Sequence, residues 1–339
     1  MISFKDLLGC ELYKVNRKNT LLKLGIAIVV IVIAITALCA VIKGVLGEFA
    51  YSEFGFAEEN VEALKQQIAA AEASQTWLNK LLPDTSIYAL KSQLAVYEYI
   101  VESGVAAGSV TAFSAGGNIP AFDYYSFTET CMSVVMAVVT IFAVVACCRA
   151  TTGEYSSGAL KMQFIRPINK SKFFTAKWLS VFLISEAYLI ISFIVSFVLG
   201  VIVFGSGAPN VLMVLQASKV VSTTAFGALV LGMLFDTVAL FMSVQVTMFL
   251  CSLCKTNSKA LVLSLLLVVF SIGEIIETIL ALGYVGFVGF FSNLNWSSAL
   301  TMEGPAFKGM SLFTMIPITL VWGALFMYLS YRRFNKLEV

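Results

Sequence analysis

The chain has 339 residues, of which 59% are hydrophobic and only 12% are charged, and its net charge is +2. Soluble globular domains carry about a quarter charged residues, so this composition excludes a water-soluble protein and indicates that most of the surface faces lipid. The sequence contains no histidine, which excludes His-based acid–base catalysis, a Ser-His-Asp triad and His-ligated metal centres.

The first segment, residues 1–23, has the pattern of an amphipathic helix. Its apolar residues fall near one helical face and its charged residues mostly near the other; the apolar set is Phe4, Leu7, Leu8, Leu12 and Val15. This pattern predicts an amphipathic helix lying on the inner membrane surface. The alternative is a polar leader that merely has helical propensity.

Six apolar runs follow, each long enough to cross a hydrocarbon core of about 30 Å as a helix. Because lipid offers no partners for backbone N–H and C=O groups, continuous runs of this kind form helices. The sequence therefore predicts an all-α polytopic integral membrane protein with six transmembrane helices, at residues 24–46, 128–148, 178–204, 225–254, 260–282 and 311–331.

The distribution of basic residues predicts the orientation of these spans. Of the 22 Lys and Arg residues, 16 lie in four segments, namely 1–23, 149–177, 255–259 and 332–339. Basic residues accumulate in cytoplasmic connections, so we expect these segments, and with them both termini, on the cytoplasmic side of the cell membrane.

The connection at residues 47–127 is predicted to be external, and its net charge is about −7, with ten acidic residues and three lysines. Helical patterns over 56–77 and 85–103, separated by Pro83-Asp84, predict a helical hairpin. The Gly/Ser/Ala-rich stretch 104–117 indicates a flexible return. A second external loop is expected at 205–224, and a re-entrant or external segment at 283–310.

Several polar residues fall inside the predicted spans, and such residues indicate functional sites by default. We take Glu186, Asp236, Gln245, Glu274 and Glu277 as candidates for a translocation path. Glu186 is equally compatible with a structural hydrogen bond, whereas Glu274 and Glu277 are also explained by the end of the fifth helix and the start of a re-entrant hairpin.

The seven cysteines lie in or beside apolar stretches, and residues 47–127 contain none. Cys251 and Cys254 form a C-x-x-C at the end of an apolar run without a second pair. We interpret this pair as membrane-embedded packing residues, in preference to a redox or zinc site.

The connection at 149–177 carries the most specific pattern. It contains Glu154-Tyr155, then Gly158, Ala159, Leu160 and Lys161, and later Arg166-Pro167, Lys172 and Lys177. Apolar positions alternate with basic ones, and Pro167 limits the helix to about two turns. This predicts a short amphipathic element on the cytoplasmic side.

This order resembles the ABC-2-type permease family, where E-Y/F-x-x-G-T-L/I-K, P-x-S/N-R/K and a downstream Lys mark a coupling helix that docks on an ATP-binding subunit. The run Cys10–Lys14 is similar to the elbow helix of that family, and 293–296 to its polar segment before the last span. The sequence departs from the family at Ala159, where Thr is usual, and at Lys172, where Arg is commoner; 295–296 lack the usual Pro. The resemblance assigns ATPase coupling to Glu154, Tyr155, Gly158, Leu160, Arg166, Pro167, Lys172 and Lys177.

Within that element we expect Glu154 to cap or pair at the start of the short helix, and Gly158 to permit the close approach of a neighbouring backbone. No G-x-x-x-x-G-K-[ST] string occurs in the chain, so the nucleotide site that the resemblance implies must lie on another polypeptide.

The implied function is the non-catalytic membrane subunit of an exporter for a hydrophobic or amphipathic substrate such as a peptide, lipid or drug. Its partners are the bilayer, two ATP-binding subunits that hold ATP and Mg, and a second membrane subunit, either a copy or a related chain. We expect no metal or cofactor on this chain and no nucleic acid. The alternatives are an ATP-driven mechanotransmitter acting through the external loop, and an ATP-independent carrier coupled to protons or cations.

Overall fold

The structure is a computed structural model, and it describes residues 3–16, 20–46, 57–73, 85–104, 109–113, 123–158, 169–215, 219–254, 256–272, 296–301 and 311–335. Nine helices of more than ten residues occur in these ranges: α1 Phe4–Val15, α2 Thr20–Leu46, α3 Ala57–Ala73, α4 Thr85–Ser103, α5 Tyr124–Cys148, α6 Lys170–Phe204, α7 Ala225–Leu253, α8 Asn257–Ile272 and α9 Leu312–Asn335. Three strands complete the main elements: β1 Val110–Ala112, β2 Asn210–Leu215 and β3 Lys219–Thr223.

Five helices among the described residues are long and apolar enough to cross a membrane, namely α2, α5, α6, α7 and α9. Their mean hydropathy ranges from 1.9 to 3.1, and α8 is a shorter apolar helix. The protein is therefore a mostly helical, multi-pass membrane protein, as the composition predicts. Helices α5 and α6 extend furthest beyond their predicted spans. Helix α6 begins at Lys170, and α5 continues into a π-helix, Arg149–Gly153, and a helical turn, Glu154–Ser156.

Helix α5 lies at the centre of the assembly and packs against α6, α7 and α2. Val32, Val139, Val181 and Leu240 are fully buried where these four helices meet. A close approach between α9 and α7 depends on Gly323, because a Cβ atom there would lie 2.7 Å from the methyl carbon of Met242.

Both ends of the described chain lie at one end of the helix assembly, which we call the termini end. Leu7 of α1 packs with Phe173 and Phe174 of α6 and with Phe334 near the end of α9. The rings of Phe174 and Phe334 have centroids 5.3 Å apart. The apolar face predicted for α1 is therefore used to dock this helix against α6 and α9.

The opposite end carries a three-stranded sheet in the order β1-β2-β3, and we call it the sheet end. Strand β1 pairs in parallel with β2, and β2 pairs antiparallel with β3. The all-α prediction omitted this sheet, because β1 lies within the stretch predicted to be a flexible return, and β2 and β3 lie within a predicted loop.

Helices α3 and α4 form an antiparallel pair. The Lys65 Nζ–Glu98 Oε1 and Lys91 Nζ–Glu72 Oε1 distances are both 2.8 Å, and these ion pairs fix the antiparallel register. The sheet connects the pair to the membrane helices, since Val96 and Ile100 of α4 pack against Val110, Leu212 and Val214 of the strands.

Candidate functional site

Four charged side chains form a closed ring at the termini end, which we call the ion-pair ring: Glu11, Lys14, Glu154 and Lys177. Lys177 Nζ lies 3.0 Å from Glu11 Oε2 and 2.5 Å from Glu154 Oε2. Lys14 Nζ lies 2.6 Å from Glu11 Oε1 and 3.1 Å from Glu154 Oε1. Each carboxylate thus bridges two ammonium groups, and each ammonium bridges two carboxylates.

The ring is mostly shielded from solvent. The side chain of Lys177 is 0% exposed and that of Glu11 is 3% exposed, whereas Lys14 keeps 38% exposure. The aromatic ring of Phe173 lies beneath both cations, 4.6 Å from Lys177 Nζ and 5.9 Å from Lys14 Nζ. Two positive and two negative charges balance, so the cluster satisfies the requirement that buried charges be paired.

Burial opposes the charge of Lys14, but the hydrogen bonds and negative charges of Glu11 and Glu154 outweigh it. They raise the pKa of Lys14 above its ordinary value of 10.5. Lys14 therefore carries its positive charge at physiological pH.

The local sequence explains how the ring forms. Glu11 and Lys14 lie three residues apart and share one face of α1, and the apolar residues of α1 hold this helix against α6. Lys177 lies two helical turns after the start of α6, and its four-carbon stem is buried with its ammonium group. Glu154 begins the helical turn that follows the π-helix.

The π-helix connects this ring to the rest of the helix assembly. The hydroxyl groups of Thr151 and Thr152 donate to the backbone carbonyls of Cys147 and Cys148, at 2.6 and 2.8 Å. Thr152 Oγ1 also hydrogen-bonds Asn257 Oδ1 at 3.1 Å, which links the end of α5 to the start of α8. Single-turn π segments often occur at functional sites, and this one lies directly between the α5 span and Glu154.

The expectation for Glu154 and that for Gly158 have different outcomes. Glu154 does pair, but with Lys14 and Lys177 of two other helices. Among the described residues no atom lies within 4 Å of a Cβ placed at Gly158, so its role in a close backbone approach stays a prediction. Gly158 has φ 72°, a left-handed conformation that glycine adopts without strain. Its N–H donates to Tyr155 O at 3.1 Å and so ends the helical turn.

The other residues assigned to coupling divide into two groups. Lys172 is exposed at the termini end, whereas Tyr155 is half-buried and Lys177 faces inward. Leu160, Arg166 and Pro167 lie outside the described residues.

Among the candidate path residues, Glu186 of α6 is tied to α7. Thr237 donates to Glu186 Oε1 at 2.8 Å. Asp236 precedes Thr237, and it lies within electrostatic range of Glu186 and of Glu129 on α5. Three carboxyl groups from three helices thus lie near one another. Glu274 and Glu277 lie outside the described residues.

Gln245 is buried on α7 at 4% exposure, and among the described residues nothing hydrogen-bonds its Oε1 atom. In the described part of the chain, no group of three or more Cys, Asp or Glu side chains has the geometry to hold a metal ion.

Sequence reasoning missed three residues of these clusters. Glu11 and Lys14 carry no local signal of this role, because the ring depends on partners 140 and 166 residues away. Glu129 stands near the start of the second predicted span, and an acid at that place in an apolar run was a signal that pointed to it.

The fold and the site define a mostly helical, multi-pass membrane protein with a buried ion-pair ring at the end that carries both termini. Residues 99–339 match the family described as "Protein of unknown function (DUF2705)", and the chain belongs to that family. It is also similar to the uncharacterized protein YhcI of Bacillus subtilis (strain 168), with 22% identity over 202 residues. That match covers 59% of this chain and 64% of the relative, which is less than two thirds of the relative's length.

Proposed function

We propose that this protein is the membrane subunit of an ABC-2-type exporter, located in the cell membrane with both termini in the cytoplasm and driven by ATP hydrolysed on a separate subunit. The observation that carries the proposal is the contact of Glu154 Oε2 with Lys177 Nζ at 2.5 Å. These two residues flank the segment whose sequence resembles the coupling element of that family. The contact holds the two ends of this segment together.

A segment whose two ends are held together transmits force better than an open linker. A load applied to residues 159–168 reaches α5 through the helical turn and the π-helix, and it reaches α6 at Lys170. The ion-pair ring also connects both routes to α1. The arrangement therefore supports a role in which an ATPase that presses on this segment moves α1, α5 and α6 together.

The positions of α8 and the 3-10 helix Ser297–Leu300 support a sixth crossing. Asn257 contacts the end of α5 at the termini end. Leu300 packs with Phe113 and Met213 at the sheet end. The sixth crossing that we propose joins these two positions, and the apolar α8 begins it. Six crossings agree with the placement of both termini at one end.

The substrate path that we propose runs beside the carboxyl groups of Glu186 and Asp236, with Gln245 nearer the termini end on the same helix α7. A buried amide oxygen without a partner among the described residues offers an acceptor to a passing polar group. The proposed cargo is amphipathic, with an apolar body that suits the lipid-like surroundings and a polar or cationic group that suits the acids.

Replacement of Gly158 tests the coupling role. Among the described residues nothing lies within 4 Å of a Cβ at this position, so Gly158→Trp adds a large side chain there at the cost of the backbone strain that its positive φ of 72° imposes. Gly104→Trp is a matched control, since Gly104 also has a positive φ, 61°, and open space, and it ends α4 near the opposite end. We expect Gly158→Trp to reduce binding of the ATPase subunit and substrate-stimulated ATP hydrolysis, with the control unchanged.

Glu154→Lys is the second variant, since it reverses the charge at the base of the segment. Membrane insertion and orientation should persist in both variants. If both keep full partner affinity and full coupled ATPase activity, the coupling role is excluded. The proposed assembly contains two membrane subunits and two ATPase subunits, so purified chain without a partner should not hydrolyse ATP at a transporter's rate.

A mechanotransmitter is the second candidate, and the sheet favours it. Strands β2 and β3 connect α6 to α7 in the sequence, and α4 packs on the sheet through Val96 and Ile100. Movement of these two membrane helices therefore reaches the α3–α4 pair directly. An ATP-dependent change in the environment of a label on α3, without substrate movement in liposomes, would favour this function over export.

A further inference from the structure

Two cysteines that are far apart in the sequence meet near the termini end. Cys148 is the last residue of α5 and Cys251 lies in the last turn of α7, and their Sγ atoms are 3.4 Å apart. Both are buried, at 0% and 3% exposure. The neighbouring Cys147 packs in the central cluster on the other side of α5, so it does not share this contact.

A third cysteine connects the pair to more accessible space. Cys254 follows α7, has an extended backbone with φ −90° and ψ 137°, and is half-buried. It packs against the group that contains Cys148, Cys251 and Ala260. The C-x-x-C pattern therefore does not stand alone. The fold adds a third thiol from a different helix.

We propose that Cys148 and Cys251 form a reversible disulfide that is sensitive to peroxides, with Cys254 as the thiol that reacts first. Fully buried thiols react slowly, because the thiolate is the nucleophile and needs access to the oxidant. Cys254 has that access. Its sulfur attacks the O–O bond of a hydroperoxide, which forms a sulfenic acid and releases an alcohol.

The remaining steps transfer the oxidation inward. Cys251 Sγ attacks the sulfenic sulfur, which forms the Cys251–Cys254 disulfide and releases water. Cys148 Sγ then attacks Cys251 Sγ, which forms the Cys148–Cys251 disulfide and regenerates the Cys254 thiol. In total, two thiols and one hydroperoxide give one disulfide, one alcohol and one water.

The site has a direct mechanical consequence. The bond would join α5 to α7 immediately before the π-helix Arg149–Gly153. Its loop would contain about 100 residues, as the partners are 103 positions apart. The disulfide would therefore hold the ends of two membrane helices at a fixed separation and would make the end of α5 rigid.

A cleavable form of the full chain tests this inference. A protease site is inserted at 216–218, the connection between β2 and β3, and the protein is placed in liposomes and treated with cumene hydroperoxide. After cleavage, a gel without reductant should show the two halves still joined in the wild type and separated after dithiothreitol. We also expect the unfolding temperature to rise by roughly 5 °C on oxidation.

Single variants show which sulfur atoms form the link and which one reacts first. Cys148→Ala and Cys251→Ala should each lose the link completely, whereas Cys147→Ala, on the adjacent position of the same helix, should keep it. Cys254→Ser should slow formation of the link at least tenfold. Mass spectrometry of the oxidised wild type identifies the linked peptides without any substitution.

Three results would overturn the inference. The first is an unlinked wild type under conditions that fully oxidise the exposed Cys10. The second is a link that persists in Cys148→Ala. The third is Cys251–Cys254 as the final disulfide in the wild type.

Discussion

Removal of the Lys177 ammonium group is the sharpest perturbation of the ion-pair ring. Lys177→Met keeps an unbranched side chain of similar length and removes only the charge. It leaves the carboxylates of Glu11 and Glu154 inside the protein, with Lys14 as the remaining cation of the ring. Because Glu11 is 3% exposed, water does not replace the lost partner.

The size of the effect follows from burial. Loss of one partner of a buried ion pair costs about 3–5 kcal/mol, because the other charge stays desolvated. A partly exposed pair is worth about 0.2–1 kcal/mol, which applies to Lys14 at 38% exposure. We therefore expect Lys177→Met to lower the free energy of unfolding by about 3–5 kcal/mol, and Lys14→Met to lower it by less than about 1 kcal/mol.

Thermal unfolding of the detergent-solubilised protein measures this difference. A loss of several kcal/mol in a chain of this size lowers the unfolding temperature by on the order of 10 °C. Lys172→Met is the matched control, since Lys172 lies on the same helix α6 and is exposed. The variant Glu11→Gln/Glu154→Gln/Lys177→Met removes the unpaired charges and should recover most of the stability lost in Lys177→Met.

A large cost of unpaired charge in the ring is excluded if Lys177→Met unfolds within 2 °C of Lys172→Met. This explanation is also excluded if the triple variant is no more stable than Lys177→Met. The loss of stability would then come from lost packing of the lysine stem and not from unpaired charge.

The remaining predictions concern single positions, each with its own measurement. Gly158→Ala should cost about 1–2 kcal/mol in thermal unfolding, since φ is 72° and an alanine is strained there, and an Asn at this position should cost less. Gly323→Val should cost about 1–3 kcal/mol by overpacking against a methionine of α7, whereas Gly232→Val, which meets open space, should be near neutral in the same assay. Asp236→Asn should impair transport in liposomes with expression and assembly intact, and a wild-type transport rate would exclude a path role. Since the pKa of Lys14 is raised above 10.5, its stabilising effect is fully present below that pH and is lost as pH rises through the higher folded value. Unfolding measured between pH 9 and 12 should show this loss in the wild type and not in Lys14→Met.

The membrane helices could be predicted because lipid imposes a simple rule on sequence. A helix such as α7 must be apolar for its whole length, and the predicted span 225–254 differs from Ala225–Leu253 by one residue. Where the helices leave the apolar region the rule no longer applies. Helix α6 begins at Lys170, eight residues before its predicted span, because polar residues continue the helix at the termini end.

The sheet and the ion-pair ring could not be predicted because both depend on distant partners. Val110 pairs with Asn210, and a three-residue strand in a Gly/Ser/Ala-rich stretch has no periodicity to recognise. Glu11 and Lys177 are 166 positions apart. The local sequence contains only the i, i+3 pair of Glu11 and Lys14, and this pair has the pattern of an ordinary exposed helix face.

The ion-pair ring also imposes an order on biogenesis. Ribosomes make α1 before α5 and α6, yet Glu154 lies 140 positions after Lys14, and Lys177 lies 166 positions after Glu11. Until α6 has emerged, Glu11 has only its neighbour on α1 as a counter-ion, and its carboxylate must stay in contact with water or lipid headgroups. Helix α1 is therefore made before its partners and can reach its final place only after them, so its docking reports that α5 and α6 have been inserted correctly.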